Sequence, residues 1–543
     1  MRGKRWVTLS LATVLAATTL AGCSGSSNKS PDKEPVKEVT PAESDKYKPD
    51  ASKVYNIAWL AAPINAPVPD TAELKAYWEK KYNVKFNLWY IERAKWQEIL
   101  NVKIAAGEFP DVIFVDDANI LSNYYNQDLI MELPIPLLEK LAPKITAEVN
   151  KVKQQEGIDP WITTRIEGKN YGIPQFNDSG AYPFVSIWRE DWLKNVGITK
   201  TPETLVEYEE AFYKFVNDDP DKNGKKDTYA LSSGYSSEPF AAIYGAFGYI
   251  PTYWSVKEGK MVYGGVQPEM KSALTYLAKW YKDKLINPEF ITGENRGGHW
   301  SISQDLIDGV IGYSNNGPFY VNAPPPIGAT EGGKMYRTFA SAHKNDGAKI
   351  VTGRTPIGPN GKSGSVRWGV VTGISIAFSK KLEKEPDKLG KILQIMQDIG
   401  TDFETWKIAN YGLEGTHYVM ENGKIKDLLP KGKPVEEFGL GTTFTAWAAS
   451  GMVKRWDPTY YEYADKVATF SKEYTNALYT RLPSMDTYGD ELNKLQKQTY
   501  LEIITGKKPI EAFDEFVKKW NSSGGTKLIE EANKWYTSAS ATK

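Results

Sequence analysis

The stretch from Asp219 to Asp227 carries oxygen-bearing groups at alternating positions. Side-chain oxygens fall at positions 1, 3, 5 and 9, position 6 is a glycine that permits a sharp turn, and position 7 offers a carbonyl; the donors are Asp219, Asp221, Asn223, Lys225 and Asp227. This alternation suits a hard cation with six or more oxygen ligands, and calcium fits it. Position 12 is Ala230, so the bidentate glutamate of an EF-hand is missing, and Thr228 or water is left to complete the shell. The alternative is a solvated helix end rich in turn-forming residues.

Signatures of catalysis are weak or missing in the sequence. The three histidines, His299, His343 and His417, are far apart, and none lies in a His-Glu-x-x-His arrangement. There is no phosphate-binding loop, dinucleotide fingerprint or nucleophile elbow. Carboxylate pairs such as Asp116/Asp117 are more typical of helix caps and salt bridges, and sequence alone cannot place them at the separation a glycosidase needs. We therefore expect a binding protein rather than an enzyme.

Aromatic residues are abundant, with 17 Trp, 32 Tyr and 19 Phe. Flat aromatic faces suit the C–H faces of sugar rings, and neighbouring amide or carboxyl groups suit sugar hydroxyls. Most of these rings are expected in the core. Rings in loops at predicted strand ends are therefore the candidates for ligand contact.

The N-terminus reads as an export and anchoring signal. Residues 2–5 contain three basic side chains, residues 6–20 are mostly apolar or small, and Leu-Ala-Gly-Cys at 20–23 matches a lipobox. The thiol of Cys23 would accept a diacylglycerol, and removal of residues 1–22 would make it the first residue. We expect a lipoprotein anchored at the extracytoplasmic face of the cell membrane. The alternative is a plain secretory signal with a chance cysteine.

The segment that follows is polar and carries a single aromatic residue, Tyr47. Its Ser, Pro, Lys and Glu content cannot bury enough apolar surface to offset the entropy of ordering, so we predict a flexible tether over residues 23–53. No other stretch reaches the roughly 18 apolar residues that a membrane span needs.

Charge and length set further limits. Basic and acidic residues are equal at 67 each, and removal of residues 1–22 takes away three basic residues, leaving a net charge of about −3. A net charge this close to zero provides no positive electrostatic field that would attract nucleic acid. One cysteine excludes an intramolecular disulfide. The length of 543 residues predicts two or more domains.

Strands and helices alternate in the first part of the chain. Hydrophobic patterns predict helices from about Asp70, as a capping-box-like start, and from Trp96, and strands over residues 57–60, 84–90 and 110–115. This order predicts a parallel α/β sheet, in which ligands bind beyond the carboxyl ends of the strands. Asp116, Asp117 and Asn119 would then lie at a binding edge, and the alternative for them is a polar loop cap.

Later patterns predict a helix with Thr201 as its N-cap, further helices at 270–285 and 389–396, and a helical tail over about 492–536. They also predict a strand leading into a loop over 309–318 and a strand over 368–378. Residues 168–193 combine a glycine turn, a proline, a polar and aromatic run and an apolar strand. That combination is typical of a chain crossing between two lobes, and an ordinary surface loop is the alternative.

Several motifs follow one another in an order characteristic of one group of proteins. They are the lipobox, Gly-Glu-Phe-Pro-Asp-Val-Ile at 107–113, Gly-Lys-Asn-Tyr-Gly-Ile-Pro at 168–174, Trp-Arg-Glu-Asp-Trp-Leu at 188–193 and the Asp-Pro-Asp-x-Asn-Gly-Lys-Lys-Asp-Thr-Tyr run at 219–229. Over nearly the whole chain after the lipobox, the sequence resembles the extracellular solute-binding proteins of family 1. It is most similar to the large lipoproteins that serve ABC importers of oligosaccharides, and more distantly to alginate-binding proteins.

The resemblance implies an α/β fold of two lobes, periplasmic-binding-protein-like (type II), with an interlobe cleft. The N-terminal lobe would comprise residues 54–175 plus about 373–440, and the C-terminal lobe residues 176–372 plus about 441–543. Chain crossings would fall near 174–182 and 368–373, with a third between about 415 and 450.

The resemblance also bears on the sites. Alginate-binding relatives hold calcium in a loop of the same spacing, which carries to Asp219, Asp221, Asn223, the Lys225 carbonyl and Asp227. A glutamate that those relatives have next is here Thr228. Ligand contacts follow no motif, so the candidates are polar or aromatic residues beside the predicted crossings: Asp117, Asn119, Gln175, Asn177, Phe319, Tyr320, Trp368 and Trp447.

The resulting hypothesis is a monomeric, lipid-anchored substrate-binding protein of an ABC importer. It would capture an oligosaccharide, close on it and deliver it to the membrane permease, without catalysing a reaction and without binding nucleic acid. Two alternatives stay open. One is a membrane-anchored polysaccharide-degrading enzyme, and the other is a signalling or scaffold lipoprotein that does not transport.

Overall fold

The computed structural model describes residues 44–540, apart from gaps at 65, 93–94, 233–239, 292–302, 325–331, 422–423, 457 and 471–472. The predicted signal peptide, the lipidation site Cys23 and most of the predicted tether lie outside the described residues, as does His299. Within the described ranges, no helix is both long and apolar enough to cross a bilayer.

The strands β1 to β17 are, in chain order, Tyr55–Leu60, Val84–Leu88, Val112–Val115, Arg165–Ile166, Lys169–Asn170, Ile173–Phe176, Ser186–Arg189, Tyr229–Leu231, Trp254–Lys257, Lys260–Tyr263, Ile311–Ser314, Ile350–Gly353, Ser365–Val366, Val371–Phe378, Tyr418–Glu421, Lys424–Asp427 and Glu473–Tyr474. The helices α1 to α19 are Glu73–Tyr82, Trp96–Ala105, Ala118–Asn126, Ile135–Leu141, Pro143–Glu156, Glu190–Asn195, Leu205–Asn217, Ala241–Gly245, Glu269–Lys282, Gln304–Ile307, Phe319–Asn322, Lys334–Ala342, Pro386–Thr401, Phe403–Tyr411, Met452–Trp456, Pro458–Ala468, Met485–Ile504, Ala512–Trp520 and Thr526–Ser540.

The first sheet has five strands in the order β2-β1-β3-β14-β6. β1 is parallel to β2, with Tyr55 opposite Val84, and parallel to β3, with Trp59 opposite Val112. The parallel α/β arrangement predicted from the alternation of strands and helices is confirmed. β14 joins the sheet antiparallel to both β3 and β6. All four residues of β3 are buried, as expected of the middle strand of a five-stranded sheet.

The second sheet has four strands in the order β12-β7-β11-β8. Trp188 of β7 is fully buried, and its ring lies 4.7 Å from Tyr208, 5.7 Å from Phe212 and 4.7 Å from Tyr313. Such tilted and edge-on ring pairs stabilise beyond the area they bury, by about 0.5–1.5 kcal/mol each. The sheet is therefore fixed to α7 by an aromatic cluster.

Buried side chains fall mainly into two cores. The first core surrounds the first sheet and draws on residues 55–173 and 376–452. The second core lies against the second sheet and draws on residues 188–313 and 482–532. The predicted lobe boundaries stay a prediction, and the chain near the last of them, from Leu440 to Met452, still packs in the first core.

The helix expected from Asp70 begins later than the capping-box pattern indicates. α1 starts at Glu73 with Ala72 as its N-cap, and no side chain caps it. The Asp70 carboxylate instead accepts from the Lys75 ammonium. A local ion pair has taken the place of the predicted cap.

The helix expected after Thr201 also begins later. α7 starts at Leu205, where Thr204 Oγ1 accepts from Glu207 N at 3.2 Å and Glu207 Oε2 accepts from Thr204 N at 2.9 Å. This reciprocal pair is a capping box, which satisfies two free N–H groups at once. The helix therefore begins after Thr204 rather than after Thr201.

The predicted long helical tail is three helices, α17, α18 and α19. The first break contains Gly506, with φ of 72°, and Pro509; the second contains Gly524, with φ of 122°. Helical residues cannot adopt these angles, and hydrophobic periodicity alone did not reveal the breaks.

The last part of the predicted tether is docked rather than free. Asp50 N donates to the Tyr55 hydroxyl at 2.8 Å, and Lys53 Nζ lies 2.7 Å from Asp387 Oδ2. Gly390 of α13 lies directly under Tyr47, since a Cβ atom there would stand 1.7 Å from the Tyr47 carbonyl oxygen. The segment from Tyr47 to Lys53 therefore packs against α13 and the start of β1, and the flexibility of the tether stays a prediction.

Substituting Gly390→Ala should release this segment, because the added Cβ atom overlaps the Tyr47 carbonyl. Trypsin should then cleave after Lys46 or Lys53 several-fold faster than in the wild type, measured by mass spectrometry over time. Gln394→Ala, on the exposed face of the same helix, is the matched control. Unchanged cleavage at these two lysines in Gly390→Ala would contradict the docking.

Candidate functional site

The strands of the first sheet present a common edge. β1, β2 and β3 are parallel, and β6 runs with them because β3 and β6 are both antiparallel to β14. Their carboxyl ends, Leu60, Leu88, Val115 and Phe176, therefore lie at the edge where β14 begins at Val371. In sheets of this kind, ligands bind beyond that edge.

The second sheet has a matching edge. β8, β11 and β12 share one direction, since β8 is parallel to β11, and β11 and β12 are both antiparallel to β7. Their carboxyl ends, Leu231, Ser314 and Gly353, lie at the edge where β7 begins at Ser186. The chain enters β7 directly from residues 177–185, which follow β6. The carboxyl edges of both sheets are thus turned toward the same chain crossing.

Two chain crossings lie in backbone contact. Gly369 N donates to Gly180 O at 2.9 Å, Arg367 Nε donates to the same carbonyl at 3.0 Å, and Asn177 N donates to Val370 O at 3.0 Å. A Cβ atom on Gly180 would stand 2.2 Å from Gly369 O. Only glycine lets the two segments approach this closely, and both segments lie where the sequence predicts crossings.

A third passage of the chain is tied to the first. The Asp178 carboxylate accepts from Ser450 Oγ at 2.5 Å and from Gly451 N at 2.6 Å. Met452 still packs in the first core, whereas Tyr461 packs in a smaller core beside the second sheet. The chain therefore passes from one sheet to the other just after this contact, and Asp178 joins two crossings through one side chain.

Asp117 lies at the carboxyl edge of the first sheet, but it caps a helix. Its Oδ1 accepts from Asn119 N at 2.7 Å and from Ile120 N at 3.0 Å at the start of α3. This is the alternative role that the sequence left open. Asn119 is half-buried in the first turn of the same helix. Ligand contact by either residue stays a prediction.

Gln175 and Asn177 lie at the first crossing, and their amides bond within the protein. Gln175 Nε2 donates to Ala446 O, and Asn177 Oδ1 accepts from Gly180 N at 3.1 Å. Both side chains are half-buried. They hold the crossing in place, and their contact with a ligand stays a prediction.

Phe319 and Trp447 have packing roles in this structure. Phe319 is fully buried, with its ring 5.1 Å from Tyr182. Trp447 is 1% exposed, its Nε1 donates to Pro174 O at 2.8 Å, and its ring lies 5.8 Å from Phe176. Neighbouring side chains enclose both rings, so neither leaves a face open to a sugar.

Tyr320 and Trp368 are more accessible than the two enclosed rings. Tyr320 packs edge-on against Phe319 at 5.6 Å, and burial raises the pKa of its hydroxyl. Trp368 packs edge-on against Phe184 at 5.4 Å at the second crossing. Both rings are half-buried beside the edge of the second sheet and remain candidates for ligand contact.

Trp89 and Tyr90 are candidates that the sequence analysis missed. The alternation of apolar residues placed Tyr90 inside the second strand, but β2 ends at Leu88. Trp89 N donates to Trp59 O at 2.9 Å, and the Tyr90 side chain is 38% exposed. The two rings therefore follow a strand at the carboxyl edge, which is the placement that the sequence argument itself required of a sugar-binding aromatic.

The predicted cation loop folds back on itself. Asp219 accepts from Asn223 N and from Gly224 N, both at 3.0 Å. Asn223 Nδ2 donates to Asp221 Oδ2 at 2.7 Å and to Asp227 Oδ1 at 3.1 Å. The three aspartates thus surround Asn223, whose backbone and side-chain N–H groups donate hydrogen bonds to their carboxylates.

The charges of this loop fit a divalent cation. Burial raises the pKa of Asp221, and the neighbouring carboxylates of Asp219 and Asp227 raise it further. In the described part of the chain, no three acidic, histidine or cysteine side chains alone form a metal-holding group. The set predicted from the spacing adds the Asn223 amide oxygen and the Lys225 carbonyl, and calcium binding by it stays a prediction.

Sequence comparisons find relatives that span the whole chain. The family described as bacterial extracellular solute-binding protein matches residues 73–323. The polygalacturonan/rhamnogalacturonan-binding protein YtcQ of Bacillus subtilis (strain 168) is 27% identical over 546 residues, covering 97% of this chain and 98% of that protein. Lipoprotein LipO of the same organism is 25% identical over 556 residues and covers 99% of each.

Solved structures share the fold. Alginate-binding protein AlgQ2 without calcium ion superimposes with a TM-score of 0.58 at 16% identity, over 90% of this chain and 99% of that one. The EF-hand mutant of FusA, an ABC-transporter substrate-binding protein of S. pneumoniae, in complex with fructo-nystose gives 0.59 at 16% identity, over 90% and 99%. In its two α/β sheets joined at adjacent crossings, in its match over residues 73–323 and in its full-length relatives, this chain is similar to the bacterial extracellular solute-binding proteins.

Proposed function

We propose that this protein is the substrate-binding lipoprotein of an ABC importer, and that it captures an oligosaccharide between its two sheets for delivery to a membrane permease. One observation carries the proposal: the carboxyl edges of both sheets face the same set of chain crossings. A ligand held there touches both sheets, so it favours the closed arrangement and can shift the protein toward it. Lipid attachment at Cys23 would keep the protein at the extracytoplasmic face of the membrane.

Aromatic rings on both sides of the crossings support a sugar ligand. Trp89 and Tyr90 follow β2 in the first sheet, and Tyr320 and Trp368 lie beside the second sheet. Rings on opposite sides can pack on the two faces of a pyranose unit, while Asn119 offers an amide for hydroxyls.

The cationic side chain of Arg354, at the carboxyl edge of the second sheet, favours an acidic sugar as the ligand. Arg354 directly follows β12, its Nε is buried without a hydrogen-bond partner, and among the described residues it forms no ion pair. A buried donor of this kind costs about 1–3 kcal/mol until it is satisfied, and a ligand carboxylate would satisfy it. The Bacillus relative named for polygalacturonan, a polymer of galacturonic acid, makes trigalacturonate the first probe to use.

Trigalacturonate should bind saturably and raise the melting temperature. Tyr90→Ala should weaken binding in the cleft about tenfold, or roughly 1.4 kcal/mol, because one stacking face is lost. Calorimetry at fixed salt measures the affinity. Val102→Ala, which removes an exposed side chain from α2 in the same lobe, is the control and should bind as the wild type does.

Two outcomes separate the alternatives. Steady release of reducing ends from the oligosaccharide would favour the polysaccharide-degrading enzyme. Binding of no member of a panel of acidic and neutral oligosaccharides would favour the scaffold lipoprotein.

Closure should depend on the glycine contact between the crossings. Gly180→Ala places a Cβ atom against Gly369 O, so the two segments must separate, at a cost of about 1–3 kcal/mol. We expect a lower melting temperature and weaker trigalacturonate binding than in Ser179→Ala, a control in the same turn. Equal behaviour of the two variants would mean that the contact does not shape the site.

We further propose that calcium binds the loop formed by Asp219, Asp221, Asn223, the Lys225 carbonyl and Asp227, and that it orders this loop without taking part in chemistry. The support is the convergence of carboxylates together with the raised pKa of Asp221. Because this pKa is higher in the folded protein, the loop favours folding most at low pH and loses that contribution as the pH rises through it. Calcium would offset the resulting repulsion at neutral pH.

Asp221→Asn should therefore have opposite effects in two buffers. In EDTA it should melt at the same temperature as the wild type or higher, since one repelling charge is gone. In calcium it should melt lower, since a ligand is gone. Asp218→Asn, just outside the donor set, is the matched control. A wild-type melting temperature that EDTA leaves unchanged would rule out structural calcium.

A further inference from the structure

A cavity of about 880 Å³ opens on the second lobe. It is bounded by the C-terminal end of α9, the segment that follows that helix, and the C-terminal end of α17 with the turn after it. Tyr229, the first residue of β8, lines one wall. Because β8 ends at the carboxyl edge, Tyr229 lies at the amino edge of the sheet, and none of the candidate cleft residues lines this space. We name it the lysine groove.

The lining of the lysine groove is strongly one-sided in charge. It includes four lysines and no carboxylate: Lys279, Lys282, Lys284 and Lys508. Lys279 Nζ lies 2.6 Å from Glu209 Oε1, and Lys508 Nζ lies 2.7 Å from Glu502 Oε2. In the part of the chain that the structure describes, Lys282 and Lys284 form no ion pair, and both are exposed. Two ammonium groups are therefore available to an anion.

The carboxylate nearest in sequence is not paired with them. Asp283 lies between Lys282 and Lys284, but it does not line the groove, and its Oδ2 accepts from the Tyr213 hydroxyl at 2.5 Å. Among the described residues, the two ammonium groups therefore have no carboxylate in direct contact.

The floor of the groove is apolar. Ile286, Ile503 and Ile504 are buried members of the second core or its edge, and Tyr229 and Tyr281 contribute half-buried rings. Flat apolar surface beside ammonium groups matches a pyranose ring that carries a carboxylate. The volume is within the roughly 300–1,000 Å³ typical of small-ligand sites.

We infer that the lysine groove is a second binding site for acidic oligosaccharides, in which sugar carboxylates pair with Lys282 and Lys284 while ring faces pack on Tyr229 and Tyr281. The choice of an oligosaccharide rests on the proposed function, whereas the preference for an anion rests on the lysines. The groove lies away from the crossings, so it holds ligand independently of closure. A long acidic polymer would gain a second point of attachment, which raises its effective concentration at the cleft.

Calorimetric titration of the wild type with trigalacturonate at low ionic strength should resolve two classes of site. Lys282→Gln/Lys284→Gln should weaken the weaker class at least tenfold and leave the stronger class unchanged. Tyr90→Ala should do the reverse. The weaker class should also fade in high salt, because exposed ion pairs are screened. Lys518→Gln/Lys519→Gln, an exposed pair on α18 with the same change in net charge, is the matched control.

The wild type could show a single class of site, unchanged in Lys282→Gln/Lys284→Gln. That result would contradict a second binding site in the lysine groove. So would a weaker class that survives in that variant, or equal binding of the neutral trisaccharide maltotriose there. If Lys282→Gln/Lys284→Gln abolishes all binding, the groove stands and the proposed cleft function fails. If the stronger class alone is missing from Tyr90→Ala, both stand.

Discussion

The close approach of Gly180 and Gly369 is the contact on which the rest of the structure depends. No side chain separates the two backbones, and a Cβ atom at Gly180 would lie 2.2 Å from the Gly369 carbonyl oxygen. Because the two crossings meet there, β7 and β14, the strands that follow them, both begin near this contact. The carboxyl edges of both sheets are therefore directed to one region, and Asp178 draws the third crossing into it.

Away from this contact, acidic and basic side chains are concentrated in separate regions of the protein. The crossings use amides and a carboxylate for internal hydrogen bonds, the second-lobe loop collects aspartates that suit calcium, and the lysine groove collects ammonium groups. A nearly neutral chain can hold these opposite fields because they are separated in the fold.

Much of the fold could be predicted from the sequence, because apolar periodicity marks strands and helices directly. The parallel order of β1, β2 and β3 followed from it, whereas the positions of the crossings came from the resemblance to a known family and from the turn pattern of residues 168–193. The site was less accessible, since a ring's burial depends on distant segments: Trp447 is enclosed by residues around Pro174 that are far away in sequence. Tyr90 was not identified as a candidate because the apolar alternation continues past Leu88. A single sequence does not show where the pairing of β2 with its neighbouring strand ends.

The central claim is that a ligand at the shared edge brings the two lobes together. Small-angle X-ray scattering of the full protein, recorded across a titration with trigalacturonate, measures this directly. We predict a decrease in the radius of gyration that saturates together with binding measured by calorimetry. Saturable binding in the cleft with an unchanged radius of gyration would contradict the account.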